Sequence, residues 1–143
     1  MKSLSQHINF QFIIMSLFNF LILSTPLYFR FVSSELFEFN KMILVYALSV
    51  VIGFFWVARM IYEKKIIVRA TPLDYPLIFF AVSMLLSTVL SIHPYTSLFG
   101  YYSRFNGGLA SVLTYIFLFY AFVSNAGKKD ITGFFWSSFI VGG

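Results

Sequence analysis

Cysteine is absent from these 143 residues. Its absence excludes disulfides, thiolate metal sites and cysteine nucleophiles. Charge is scarce as well: 10% of residues are Asp, Glu, Lys or Arg, against roughly a quarter in soluble domains. No zinc-type His/Glu pair, nucleotide-binding glycine loop or nucleophile elbow is present. What fills the chain is apolar: 59% hydrophobic residues, 20 of them Phe, and a mean hydropathy of +0.85. No globular core of this size hides so much apolar surface. Lipid is then the expected solvent, in which backbone survives only as helices or closed barrels. Barrel strands alternate apolar and polar residues over about ten positions. The runs here are continuous and longer, so the expected fold is all-α, a polytopic bundle of transmembrane helices.

Five apolar runs carry that expectation. The first covers residues 10–29, enough to span about 30 Å of hydrocarbon. A secretory signal peptide is the competing reading, with Lys2 as its basic start. The run passes Pro26 into Leu27, Tyr28 and Phe29 with no small-residue cleavage site before it, which favours an uncleaved span. The second, residues 42–58, is bounded by Lys41 and Arg59. Ser34 suits an N-cap, with Glu35 and Glu38 in the first turn and Lys41 three residues past Glu38, within pairing reach. Thr71-Pro72-Leu73-Asp74 reads as a helix start leading into the third span, residues 75–92. That span is expected to stop where Pro94 disfavours helical geometry at His93. Residues 93–108 read as a structured loop, residues 109–124 as the fourth span, and residues 131–143 as an incomplete fifth. The fifth run stops at about thirteen residues where roughly twenty are needed. A chain that continues is expected, and a short re-entrant tail is the alternative.

Orientation follows from the basic residues of alternate connections. Lys2, the group Arg59, Lys64, Lys65 and Arg69, and the pair Lys128 and Lys129 fall on one side. Arg30, Lys41 and Arg104 fall on the other. The richer side, with the N-terminus, is expected in the cytoplasm, and residues 93–108 outside. The net charge of +5 is thereby read as membrane topology, with no nucleic-acid partner. No charge lies in the middle of a span, which counts against a proton relay or ion pathway. Gly53, alone within the second run, reads as a packing contact.

Chemistry concentrates in Ser97-Leu98-Phe99-Gly100-Tyr101-Tyr102-Ser103-Arg104-Phe105-Asn106-Gly107-Gly108. Arg104 is the only charged residue between Asp74 and Lys128. A guanidinium fork holds phosphate oxygens bidentately, Tyr101 and Tyr102 offer flat faces to sugars or headgroups, and Gly100, Gly107 and Gly108 permit close backbone approach. An interfacial anchor is the other reading of arginine and tyrosine at such a place. Arg30, ending the first span on the same side, either adds a second positive charge or marks the interface. Glu35 and Glu38 read as first-turn helix carboxylates, and His93 and His7 as incidental.

One further pattern joins these segments. Glu35-Leu36-Phe37-Glu38-Phe39-Asn40-Lys41, Thr71-Pro72-Leu73-Asp74, Leu86-Ser87-Thr88, Ser91-Ile92-His93-Pro94, Ser97-Leu98-Phe99-Gly100, Arg104-Phe105 and Gly107-Gly108, in that order, resemble the N-terminal region of the bacterial O-antigen ligase/polymerase family. The similarity covers residues 20–125, and its distinctive part is Ser-Leu-Phe-Gly followed by Arg-Phe-x-Gly-Gly. The resemblance implies an inverting, all-helical membrane glycosyltransferase of the inner membrane. Such a protein takes a glycan from an undecaprenyl-diphosphate carrier and passes it to lipid A–core, a polysaccharide or a protein, as in lipopolysaccharide biosynthesis, without a metal or other cofactor. It also implies Arg104 as a contact to the carrier diphosphate, with Arg30 second and Tyr101, Tyr102, Gly107 and Gly108 in the substrate loop. The family's large outer loop, with the histidine that helps activate the acceptor, has no counterpart among these residues, and His93 does not fill that place. No catalytic residue is therefore assigned. The rival reading is a non-enzymatic integral membrane protein: part of a transporter or flippase, or a small scaffold. Neither reading sets an oligomeric state.

Overall fold

A computed structural model of the chain describes residues 9–27, 37–101, 104–127, 131–134, 136 and 139. The described residues are helical or irregular, with no strand among them. Five helices follow one another: α1 (Phe10–Leu27), α2 (Phe37–Glu63), α3 (Asp74–Val89), α4 (Pro94–Phe99) and α5 (Leu109–Asn125). Residues 131–134 are helical again. Ser34, Glu35, Arg30 and His7, all singled out in the sequence, lie outside the described residues, as do Lys128 and Lys129.

α2 is the one described helix long and apolar enough to cross a bilayer, while α1, α3 and α5 are shorter apolar helices. By helix length, the crossings expected from the apolar runs thus reduce to one full-length helix and three shorter ones. α2 also outruns its expected bounds, continuing through Lys41 and Arg59. Single charges do not interrupt a hydrogen-bonded ladder, and Arg59 supports the last turns by pairing with Glu63 four residues on, Nε to Oε1 at 2.7 Å. A Schellman turn then stops it. Lys64 takes a left-handed φ of 51°, its N–H donates to Ile61 O, and the Lys65 N–H donates to Met60 O.

The start of α3 is tied differently from the expected cap. The helix begins at Asp74, and the Asp74 carboxylate accepts from the Thr71 N–H at 3.1 Å and the Thr71 hydroxyl at 2.6 Å. Thr71 is therefore donor to Asp74, which reaches back as the acidic half of a capping box does. α3 closes at Val89, short of His93. Pro94 has a second role that the sequence reading missed: it opens α4 at the first helical position, where its missing N–H costs nothing.

Side-chain contacts fix the helix directions. Phe10 at the start of α1 lies on Tyr62 at the end of α2, ring centroids 5.5 Å apart, so those two helices are antiparallel. Met42 meets Tyr115 and Arg59 meets Asn125, so α2 and α5 run parallel. Asp74 meets Tyr120, which turns α3 against α5. The core sits where α1, α2 and α5 converge: Ile14, Phe18, Ile52, Trp56 and Ala121 are buried together. Gly53 belongs to that seam, because a Cβ there would come within 2.8 Å of the Phe117 ring. It is a packing contact, as the sequence suggested. α3 buries none of its residues.

Polar clasps close the end of the bundle that carries residues 64–74. Arg59 Nη1 donates to Asn125 Oδ1 at 2.8 Å, and Asn125 Nδ2 donates to Ala121 O at 2.7 Å. The Trp56 indole N–H reaches Ile67 O at 3.0 Å, and the Arg69 N–H reaches Ser124 Oγ at 3.1 Å. Tyr120 donates to Asp74 Oδ1 at 2.7 Å. Hydrogen bonds from Thr71 and then Tyr120 hold the Asp74 carboxyl below the usual carboxylate range.

Candidate functional site

The opposite end gathers the close of α1, the start of α2, the whole of α4 and the start of α5. Alternating helix directions put them there, and residues 100–101 and 104–108 cover them. This covering segment is a fold of its own. Gly100 has φ +82° and Gly107 φ +83°, conformations that favour glycine. At Gly100 an added Cβ would run into the Asn106 carbonyl oxygen, and at Gly108 into the Gly100 backbone nitrogen. The close approach that these glycines allow is therefore to the chain's own backbone, which doubles back upon itself. Gly107, in contrast, faces open space.

Phe105 is the plug of this arrangement. It takes a left-handed φ of 51°, uncommon for a bulky side chain. Its ring meets Phe39 of α2 edge-on at 5.2 Å and Phe99 of α4 at 5.7 Å, and its carbonyl accepts from the Tyr46 hydroxyl at 3.0 Å. The backbone stays in this conformation because contacts on both sides over-determine it. Beneath, Ser111 is buried, donates to Gly108 O at 2.7 Å and accepts from the Gly107 N–H at 3.0 Å.

With Phe105 turned inward, Arg104 is turned outward. Tyr101 O accepts from both the Arg104 and the Phe105 N–H at 2.9 Å, so Tyr101 and Arg104 share one exposed turn. The structure thus brings Arg104, Tyr101, Gly107 and Gly108 into one compact loop. Tyr102 and Arg30 lie outside the described residues. His93 is exposed just ahead of α4, and the nearby Ser91 and Ser97 hydroxyls bond each other at 2.6 Å.

Below the loop lies a cavity of about 500 Å³ between α1, α2 and α5, lined by Lys41, Asn106, Thr25 and Tyr115 together with Leu21 and Leu118. The Tyr115 hydroxyl stands 3.1 Å from Asn106 Oδ1 and 3.3 Å from Met42 Sδ. Asn106 Oδ1 also accepts from the Gly107 N–H at 2.8 Å. Sequence reading passed over Lys41, Asn106 and Tyr115 as site residues. Lys41 carried one signal, a cation near the start of a helix whose dipole favours anions there. Tyr115 carried none, because it meets Met42 across 73 positions. No group of three or more His, Cys, Asp or Glu able to hold a metal occurs among the described residues. No known protein family, curated protein or solved structure matches this chain.

Proposed function

We propose that the chain is the membrane-embedded part of a glycan transferase similar to the O-antigen ligase/polymerase family, which accepts a glycan from an undecaprenyl-diphosphate carrier. In this reading α1, α3 and α5 cross the bacterial inner membrane beside α2, with the N-terminus in the cytoplasm and the Arg104 loop outside. The observation that carries it is the pairing of an apolar exterior with one cationic, aromatic loop at one end. Phe79 is 79% exposed and Ile92 91%, and α3 buries none of its residues, leaving Ile78, Phe79, Phe80, Val82, Leu85, Leu86 and Val89 exposed, which calls for lipid around it. Helices of 16 to 18 residues reach roughly 24–27 Å, and a bilayer accommodates that shortfall by local thinning. Exposed Leu90 and Ile92 lengthen the apolar band beyond α3. Within lipid no apolar transfer from water drives helices together, so close packing and hydrogen bonds hold them. The Gly53 seam and the Arg59–Asn125 and Asp74–Tyr120 clasps fit that requirement.

At the outer end, the loop presents Arg104 near Tyr101, at the level where this reading has a lipid-linked diphosphate met. The hypothesis assigns Arg104 to the diphosphate, because a guanidinium matches phosphate oxygens in pairs. It assigns no acid, base or nucleophile to this chain. The test is glycan transfer in cells carrying the gene with Arg104→Ala. Transfer should fall roughly tenfold or more, as expected for loss of a charge-assisted contact, with the membrane level of the protein unchanged. Unaltered transfer, or transfer indifferent to deletion of the gene, would leave the non-enzymatic membrane protein as the surviving reading.

A further inference from the structure

The connection from α2 to α3 is tied down along its length. The Schellman turn at Lys64 and Lys65 fixes its start, and the hydrogen bonds from Thr71 to Asp74 fix its end. Between them Ile67 O takes the Trp56 indole N–H, and the Arg69 N–H reaches Ser124 Oγ. What this pinned segment shows outward is cationic and apolar together. Lys64, Lys65 and Arg69 are exposed, and their side chains have no partner among the described residues. Both acids of residues 59–74 are already engaged, Glu63 by Arg59 and Asp74 by Thr71 and Tyr120. Ile66, between the cations in sequence, is 88% exposed, and Ile61, Tyr62 and Val68 beside them are exposed as well.

We infer that residues 61–69 form a contact surface for anionic bilayer phospholipids of the cytoplasmic leaflet, with Lys64, Lys65 and Arg69 meeting the headgroups and Ile61, Ile66 and Val68 the first carbons of the chains. Charge complementarity selects an anion, since three unpaired cations stand together with no free acid near them in sequence. The apolar side chains select which anion. A soluble acidic peptide answers the cations but leaves Ile61 and Ile66 in water, whereas a bilayer sets negative headgroups directly against hydrocarbon and answers both. Basic clusters next to a span attract anionic lipids, and Lys and Arg reach headgroups while their methylene stems stay in apolar surroundings. Because the backbone is already held, little ordering remains to oppose the contact. This inference rests on the membrane reading above. It goes further than the charge bias that sets orientation, which asks only on which side the cations lie. It also uses the end of the bundle opposite the Arg104 loop.

Trp56 is a built-in reporter, because its indole is bonded to the segment at Ile67. With Trp136→Phe it is the only tryptophan left of the two in the chain. The experiment reconstitutes this full chain in phosphatidylcholine bilayers containing brominated phosphatidylglycerol, and in the reverse mixture, and reads quenching of Trp56. Phosphatidylglycerol should be preferred around Trp56 by about fivefold, the worth of one cation beside an anionic surface. Added salt should shrink that preference. Lys64→Gln, Lys65→Gln and Arg69→Gln combined should bring it to about one. Lys65→Gln or Arg69→Gln alone should lower it in part, and the charge-keeping set Lys64→Arg, Lys65→Arg and Arg69→Lys should retain it. Equal quenching by the two lipids in the unsubstituted segment, or a preference that survives the triple Gln variant, overturns the surface. So does a third pattern, in which the lipids quench equally but soluble polyglutamate alters Trp56 emission only while the three cations are present. That pattern would assign the cations to an acidic protein segment. Retention of the chain in carbonate-washed membranes tests the membrane reading separately. Loss in that wash removes the reading, and retention without lipid preference removes only this inference.

Discussion

Asn125→Ala is the substitution whose effect the fold defines best. Asn125 is 2% exposed and both ends of its amide are used. Oδ1 accepts from Arg59 at 2.8 Å and Nδ2 donates to Ala121 O at 2.7 Å. Alanine removes an acceptor from a guanidinium whose side chain is only 16% exposed. A hydrogen bond to a charged group is worth about 1.5–3 kcal/mol, and a neutral one about 0.5–1.5 kcal/mol. Arg59 keeps Glu63 as a second partner, which moderates the loss, so the expected destabilisation is about 2–3 kcal/mol. The assay is reversible denaturation in mixed micelles, run as a double-mutant cycle with Arg59→Ala. The cycle matters because each single substitution also leaves a partner unpaired. A coupling energy of about 1–2 kcal/mol is expected. Coupling below about 0.5 kcal/mol would refute the view that this clasp joins the ends of α2 and α5.

Other outcomes follow from the same contacts. Gly108→Ala places a Cβ against the Gly100 backbone and should open the loop at a cost of about 1–3 kcal/mol. Gly107→Ala, in open space but at φ +83°, should cost about 1–2 kcal/mol with no opening, and limited proteolysis after Arg104 separates the two. Asp74 has a lowered folded pKa, so its stabilisation is complete above the ordinary value of about 3.9 and is lost as pH falls through the folded value. Denaturation midpoints taken downward from pH 7 should show that loss in the wild type, show a smaller loss that is complete at a higher pH in Tyr120→Phe, and lack it in Asp74→Asn; identical profiles in wild type and Asp74→Asn would refute the assignment. A membrane-impermeant maleimide on intact cells should label Ser97→Cys and spare Lys65→Cys, a clean comparison in a chain without native cysteine. The reverse pattern would invert the proposed orientation.

Long apolar runs made the helical character legible, because nothing but helix suits a continuous run of that length in this composition. Local punctuation was legible in part. The Thr71 to Asp74 signature marked a helix start, although the threonine turned out to donate to the aspartate. Pro94 reads as a stop in the sequence, yet it is also the first residue of α4, since proline serves both ends of a gap. The charges of Lys41 and Arg59 read as boundaries, yet α2 runs through both, because a helix ends where its backbone turns. The exposed Arg104 was legible as a lone charge among aromatics. The cavity was not. Its walls come from three helices and a loop, and no local pattern states which face of each helix meets the others. The Arg59–Asn125 clasp was hidden for the same reason, its partners lying 66 positions apart.

The outlying place of α3 bears on the order of assembly. Ribosomal synthesis delivers α1 and α2 first, and their hairpin presents Ile14, Phe18, Ile52 and Trp56 on a face that lacks its third wall. The next helix to emerge is α3, but it buries nothing against that face. The wall arrives only with α5, through Ala121, and α3 is then fastened from outside by Asp74 to Tyr120. The nascent chain must therefore hold a finished helix aside until a later one has taken the inner seat, so sequence order and docking order differ in this bundle.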